Sequence, residues 1–406
     1  MRRRPHLLVP YVAVAVPVAI AVAIGVLASA CSSGSDQGGP GPSTSTAGTP
    51  TSSPGSTPPS SPGGTPSDPA GTPSSGPGGP PKWTKVLRQP VDGQHVVTAQ
   101  RKYLVTRSSD EAGTTTVTDR ASRRVVVRHA PPAGFVAQSP VVIDDKWALI
   151  EEIRSDGPDP EIRAYRYDLT TGARTDLSKQ RTLPPISEPE IGSYDGTFAY
   201  SSTDSRRRSC LVIAELASLK TRTVSCVADP GYVADPIVSA DSVTFSQIAA
   251  PSTPQRCKRL LTASLSGGPA RPVAAAKNCI QWSGASLRGA TVWSEVGASD
   301  PDQYQSKGYV RATADSPTQS LGQLVTDTIV ACGNWIHWEV RTVSSGVETF
   351  QVQRWQPGLA RPQRIYATPP DTGLTAPSCQ EGQLLVETAH LGGGSKYTEA
   401  LLATTA

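Results

Sequence analysis

Hydrophobic and polar positions divide the chain into three stretches. Residues 7–30, "LLVPYVAVAVPVAIAVAIGVLASA", are apolar and carry no charge. Residues 32–82 are almost entirely Ser, Thr, Pro and Gly, with Asp36, Asp68 and Lys82 as their only charges. From Trp83 onward the pattern changes to period-2 alternation with β-branched runs, and helical periodicity is nearly absent. Alternation of this kind predicts strands with one covered face.

The strands recur as a unit. An apolar strand, a short turn and a second strong strand are found seven times. The second strands start at Tyr103, Trp147, Thr197, Val243, Thr291, Trp335 and Gln383, spaced 44, 50, 46, 48, 44 and 48 residues apart. Each unit then carries a further hairpin, as in residues 162–178 or 260–274. Four short strands per 44–50 residues is the pattern of a β-propeller blade. After the seventh start there is room for only three strands, while "WTKVLRQP", residues 83–90, is left over at the other end. An N-terminal strand that completes the last blade accounts for both anomalies and leaves no open edge. The expected fold is all-β: a seven-bladed β-propeller over 83–406, closed by its N-terminal strand and preceded by a disordered tether and a membrane anchor.

The two N-terminal stretches contribute no core. The 24 apolar residues of 7–30 exceed an ordinary signal-peptide core and are long enough to cross about 30 Å of hydrocarbon. Arg2, Arg3 and Arg4 precede the run and the next arginine is Arg88, which predicts that the N-terminus is inside and the rest outside. Residues 32–82 cannot bury enough surface to offset their ordering entropy and are expected to be disordered. As a coil their 51 residues span about 40 Å. Their Ser/Thr/Pro composition is also that of O-glycosylated stalks.

Composition limits the function. The net charge is +4, from 38 basic and 34 acidic residues; beyond Cys31 it is 35 against 34. Near-neutrality excludes a nucleic-acid partner, which needs a basic face. No G-x-S-x-G, H-E-x-x-H, P-loop or dinucleotide fingerprint occurs. Neither a cofactor nor a metal site is expected. The fourth position after each second-strand start holds Arg107, Glu151, Ser201, Gln247, Glu295, Glu339 and Glu387. Glu151, Glu295, Glu339 and Glu387 are therefore candidate rim carboxylates, able to bind a cation or basic partner or to supply an acid/base pair. Polar residues at wet strand ends would read the same way. His337, between Ile336 and Trp338, reads as a core or interblade residue, and the tryptophans as blade-to-blade packing.

Cysteine positions are more constraining. Apart from Cys31 there are six, an even number in an exported chain. Cys210 and Cys226 flank one hairpin, with midpoint Ser218 in its turn, and Cys257 and Cys279 flank another, with midpoint Gly268. Residues equidistant from a turn face each other on paired strands. Cys332 and Cys379 lie 47 residues apart, one blade period, at the same place in two successive blades. The expected pairs are Cys210–Cys226, Cys257–Cys279 and Cys332–Cys379.

Two resemblances follow from particular residues. "LASAC", residues 27–31, resembles a bacterial lipobox, and "CSSG" resembles the start of actinobacterial lipoproteins. Ala28 departs from the Leu usual in that motif. The resemblance implies lipidation at Cys31; an uncleaved signal-anchor helix is the alternative. "SYDGTFAYSS" (193–202) and "YRYDLTTGARTDLS" (165–178) resemble the repeat elements of TolB-like, WD-repeat-like propellers, with Asp168 and Gly172 at the matching turn. This implies a fold and an extracytoplasmic setting, and no activity. The reading favoured is a binding or assembly scaffold at the outer membrane face, holding a protein, peptide or cell-wall polymer. A glycan hydrolase or lyase using rim carboxylates is the alternative, and a sensor domain a third. Carboxylates converging in the channel would favour an enzyme; a broad apolar rim would favour a scaffold.

Stable lipid attachment takes two or more acyl chains. Labelling with a fatty-acid analogue is expected to be lost in Cys31→Ala; undiminished labelling means that the chain is held by a spanning helix instead.

Overall fold

The computed structural model describes residues 79–405, apart from 92, 111, 139–140, 155–159, 181, 249–257, 274–279, 297–304, 371 and 391–395. Cys31, Cys257 and Cys279 lie outside the described residues, as do residues 1–78, on which the expected anchor and most of the expected tether fall.

No helix is present among the described residues; the strands form seven antiparallel sheets. Strand β1 (Trp83–Pro90) comes first in the chain. Blade 1 is β2 (Gln94–Ala99), β3 (Tyr103–Ser108), β4 (Thr115–Asp119) and β5 (Val125–His129). Blade 2 has a split inner strand, β6 (Val136–Ala137) and β7 (Val142–Ile143), then β8 (Trp147–Arg154), β9 (Glu161–Asp168) and β10 (Arg174–Asp176). Blade 3 is β11 (Ile186–Tyr194), β12 (Thr197–Thr203), β13 (Ser209–Glu215) and β14 (Thr221–Val227). Blade 4 is β15 (Tyr232–Val238), β16 (Ser242–Ile248), β17 (Lys258–Ser264) and β18 (Arg271–Pro272). Blade 5 is β19 (Gln281–Leu287), β20 (Ala290–Glu295), β21 (Gln305–Arg311) and β22 (Gln319–Val325). Blade 6 is β23 (Val330–Cys332), β24 (Trp335–Ser344), β25 (Val347–Trp355) and β26 (Gln363–Ala367). Blade 7 is β27 (Thr372–Leu374) with β28 (Ser378–Gln380), then β29 (Gln383–His390) and β30 (Tyr397–Thr404).

The seventh blade ends on β1. Trp83 pairs with Ala403 and Pro90 with Tyr397, so the first strand of the chain is the outermost strand of the last blade. The Trp83 indole donates to Ile365 O of blade 6 at 3.0 Å and packs on Tyr366, and Lys85 meets Glu399 at 2.6 Å.

The core lies between blades. Val105 and Val117 of blade 1 pack against Ile150 and Tyr167 of blade 2, and Leu149 of blade 2 packs against Phe198 and Val212 of blade 3. Val96 of blade 1 meets Leu385 and Leu402 of blade 7. Each such side chain contributes about 1.5–3 kcal/mol by leaving water. The second strand of each blade has a neighbour on both faces, so β8, β12, β16, β20 and β29 are buried through almost every position. Polar residues on these strands go inside with the rest.

Turns and crosslinks follow local chemistry. Asp168 Oδ1 accepts the N–H groups of Thr170 and Thr171 at 2.8 and 3.1 Å, and Gly172 takes φ +74°. Cys210 and Cys226 are directly opposed on β13 and β14 and bonded. Cys332 and Cys379 join the innermost strands of blades 6 and 7. At Gly192 a Cβ would lie 2.0 Å from Pro236 O, so only glycine admits the approach of β15 to β11.

Deleting residues 83–90 is expected to lower the melting temperature and promote aggregation by baring the edge of β30, whereas deleting 32–75 is expected to leave melting unchanged. Equal melting of both truncations would exclude closure by β1 as a determinant of stability.

Candidate functional site

The hairpins fix which positions are equivalent around the ring. The second strand begins opposite the last paired residue of the first: Tyr103 opposite Gln100, Trp147 opposite Asp144, Thr197 opposite Tyr194, Ser242 opposite Ser239, Ala290 opposite Leu287, Trp335 opposite Cys332 and Gln383 opposite Gln380. Five starts agree with the repeat spacing; blades 4 and 5 start one residue earlier. A one-residue shift exchanges the faces of a strand. The equivalent residues are therefore Arg107, Glu151, Ser201, Ser246, Ser294, Glu339 and Glu387. Glu295 belongs to the opposite face, where it accepts from Trp293 Nε1 at 3.1 Å.

This position meets the inner strand of the following blade in four of the seven. Arg107 donates to Gln138 O, and Ser201 Oγ to Val233 O at 2.5 Å. Ser246 Oγ lies 3.4 Å from Trp282 O, and the Glu387 carboxylate accepts from the Val96 N–H. The sequence places Glu151, Glu339 and Glu387 on a wet rim; the structure leaves them 1 %, 1 % and 7 % exposed. Neighbouring blades cover both faces of β8, β24 and β29, which is why strand-end polarity does not imply solvent here. One oxygen of each of the three has no hydrogen-bond partner. Burial holds Glu151 well above the ordinary carboxyl range and pushes Glu339 up to about 8 and Glu387 to about 7. His337 shares the Glu339 face of β24. Neither of its ring nitrogens is hydrogen-bonded, and burial, aided by Arg354, pushes it down to about 3.

A second carboxyl cluster lies where the inner strands bulge. The register of β11, β15 and β19 shifts at Ile186/Ile191, Ala234/Ile237 and Gln281/Gly284. Bulges re-aim side chains. Glu190, Asp235 and Trp282 occupy them, and Asp327 precedes β23. Glu190 Oε2 accepts the Asp235 N–H at 3.2 Å; Asp235 Oδ2 accepts from Ser246 Oγ at 2.9 Å and pairs with Lys258 Nζ at 2.6 Å. Lys258 Nζ stands 4.3 Å above the Trp282 ring, whose Nε1 donates to Asp327 Oδ2 at 2.9 Å. The network joins the inner walls of blades 3, 4, 5 and 6. Asp235 and Asp327 have φ +50° and +60°, a conformation that costs about 1–3 kcal/mol and tends to be kept where a site needs it.

The other end of the channel is crossed by hydrogen bonds. Gln380 Nε2 of blade 7 donates to Ser193 Oγ of blade 3 at 2.8 Å, and the Gly333 N–H of blade 6 is directed at the Tyr194 hydroxyl. The channel is thus a funnel with a bonded floor. Glu188, Glu190 and Asp327 are exposed yet crowded by strands, and burial raises all three. Glu190 reaches about 7, its burial reinforced by the Asp235 carboxylate. Burial opposes the Asp235 anion, but Lys258 and hydrogen bonds from Glu190, Lys258 and Ser246 hold it below its ordinary value. Of the two, Glu190 therefore holds its proton to higher pH than Asp235.

None of these funnel residues was predicted by the repeat. The signal available was proline inside a strand, in "EPE" (188–190) and "ADP" (234–236), which marks a bulge. Among the described residues the one grouping of metal-ligating types is Asp204 with Cys210 and Cys226, and both sulfurs are committed to the disulfide.

No family model and no curated relative matches the chain. Among solved structures it is similar to the polysaccharide lyase Uly1, with 10 % identity over 77 % of this chain and 89 % of that one and a TM-score of 0.47. An oligogalacturonate lyase in complex with manganese follows with 14 % identity over 77 % and 76 %, TM-score 0.40. The β-propeller domain of the Trilobed protease from Pyrococcus furiosus has 12 % identity over 64 % and 83 %, TM-score 0.40. The likeness is one of propeller architecture, and none of these activities is carried over to this chain.

A carboxyl group raised above its unfolded value binds its proton in the folded state first, so its contribution to stability falls as pH rises from about 4.5 to about 8. Glu339→Gln is expected to flatten that decline and to be more stable than the parent at about pH 9, by several kcal/mol. Parallel stability–pH curves for the two proteins would contradict the assignment.

Proposed function

We propose that the protein is a membrane-tethered, extracytoplasmic binding module whose channel mouth takes a cationic or hydroxyl-rich group of a protein, peptide or cell-wall polymer. The observation that carries this reading is the convergence of Glu188, Glu190, Asp235 and Asp327 on a funnel with a bonded floor, with Lys258 as the basic residue among them. A concave, acidic site with an aromatic wall at Trp282 suits hydroxyls and ammonium groups, and it opposes an anionic chain such as a uronate. Large apolar side chains are exposed only at separate places among the described residues: Val125, Val136, and Val343 with Val347 on one hairpin. The partner therefore docks by polar contacts rather than on an apolar rim.

One observation favours the second reading. Glu190 and Asp235 differ in proton affinity while touching, which is the arrangement an acid/base enzyme uses. On that reading Glu190, poised by Asp235 beside it, is the acid in cleavage of a wall glycan; the two are too close to flank the scissile bond as a pair.

Cross-linked envelopes carrying the parent and Asp235→Asn/Asp327→Asn proteins distinguish the two. The binding reading expects a repeatable partner whose recovery drops at least about tenfold in the double variant, as the loss of two charged contacts would give. Absence of a partner together with degradation of a wall glycan, abolished by Glu190→Gln, would replace it with the enzymatic reading.

A further inference from the structure

Lys258 stands in the acidic network of the funnel as a cation supplied by the chain itself. It is the first residue of β17, the third strand of blade 4; its backbone pairs with Ile248 and is bridged to Ile280, at the entrance to blade 5. From there the side chain, 13 % exposed, spans two blades: Nζ lies 2.6 Å from Asp235 Oδ2 of blade 4 and 4.3 Å from the centre of the Trp282 ring of blade 5. Both partners are held in turn. The buried Ser246 Oγ donates to Asp235 Oδ2 at 2.9 Å and lies 3.4 Å from Trp282 O, and the Trp282 indole N–H is committed to Asp327 Oδ2 at 2.9 Å.

A mouth lined by carboxyl groups alone would gather cations. The place between a carboxylate and an aromatic face is where a cation binds best, and here the chain fills it with its own ammonium. An incoming cation finds Asp235 already neutralised and meets repulsion from Nζ. What the site still offers is a donor beside acceptors: the Lys258 ammonium next to the exposed carboxyl groups of Glu188, Glu190 and Asp327. A hydroxyl accepts at its oxygen and donates through its hydrogen, so a group with several hydroxyls satisfies both kinds of partner. An ammonium or metal ion has no lone pair for Nζ, and a carboxylate or phosphate ligand has no hydrogen for the carboxylates.

We propose, on the basis of the binding function above, that Lys258 is the specificity-determining residue of the funnel: it refuses metal cations and ammonium groups and selects a neutral, hydroxyl-rich group of the kind that sugars carry. The choice is made by a repulsive element as well as an attractive one, as discrimination between similar ligands requires. Lys258 acts through charge and donor number together, so its loss changes which ligand is preferred and does not merely weaken binding.

The test titrates the full-length protein with terbium(III), whose luminescence a nearby tryptophan excites, and with N-acetyl-lysine methylamide, and passes it over an immobilised panel of neutral hexose, pentose and N-acetylhexosamine oligosaccharides. The parent is expected to retain on at least one saccharide. Lys258→Met is expected to bind that saccharide about tenfold more weakly and terbium and the lysine derivative about tenfold more tightly. Trp282→Phe in the same background should remove the added luminescence, and Lys258→Arg, which keeps the charge, should keep the order of the parent. A gain of cation binding cannot come from weakened folding of the site. In the parent, excess calcium should not displace the saccharide, a measurement that needs no variant. Equal terbium binding by the parent and Lys258→Met, or displacement of the saccharide by calcium, overturns the role of Lys258 and leaves the binding function standing. A parent that takes the lysine derivative and no saccharide overturns the selection in the same way; the binding function falls with it only if cross-linked envelopes also yield no partner.

Discussion

A propeller blade has two faces to cover and no core of its own. Everything else in this structure depends on that constraint. Leu149 is buried only because Phe198 and Val212 of the next blade lie against it, and Val96 only because Leu385 and Leu402 do. The ring must close, and the last blade must borrow its outer strand from the start of the chain. The Cys332–Cys379 bond ties the innermost strands of blades 6 and 7, where the two ends of the domain are gathered.

The same constraint explains the unusual polar groups. A second strand with neighbours on both sides gives a carboxylate nowhere wet to go. Glu151, Glu339 and Glu387 sit at one position of three blades, where Arg107, Ser201 and Ser246 in other blades bond directly to the next inner strand. Burial disfavours the charged form of glutamate there. Asp235, held as an anion by Lys258, is found instead at the bulge of an inner strand.

Period and closure were legible in the sequence because they depend on spacing, which tolerates error of a residue. The carboxylate ring was less so, because facing has a period of two. Taking Val243 and Thr291 as strand starts, where the hairpins begin at Ser242 and Ala290, turned Glu295 to the wrong side and hid Ser246 and Ser294. The disulfides Cys210–Cys226 and Cys332–Cys379 were legible because symmetry about a turn and repetition by one blade are each relations between two marked residues. The funnel was not. Glu190, Asp235, Trp282 and Asp327 are different residue types at bulges, and a bulge is by nature a break in the repeat that a periodic reading discards.

Trp83 has a mechanical role that its packing conceals. It is the first residue of the strand that closes the ring. A pull from the N-terminal side would load first Gly79, whose carbonyl accepts from Arg354 of blade 6, and then β1 at the end that pairs with Ala403. The indole bonded to Ile365 of blade 6 and stacked on Tyr366, followed by Lys85 on Glu399, means that a pull must break side-chain anchors in two blades before the ladder can peel. The strand that makes the ring whole is thus held at its first residue, where a ladder would otherwise begin to peel.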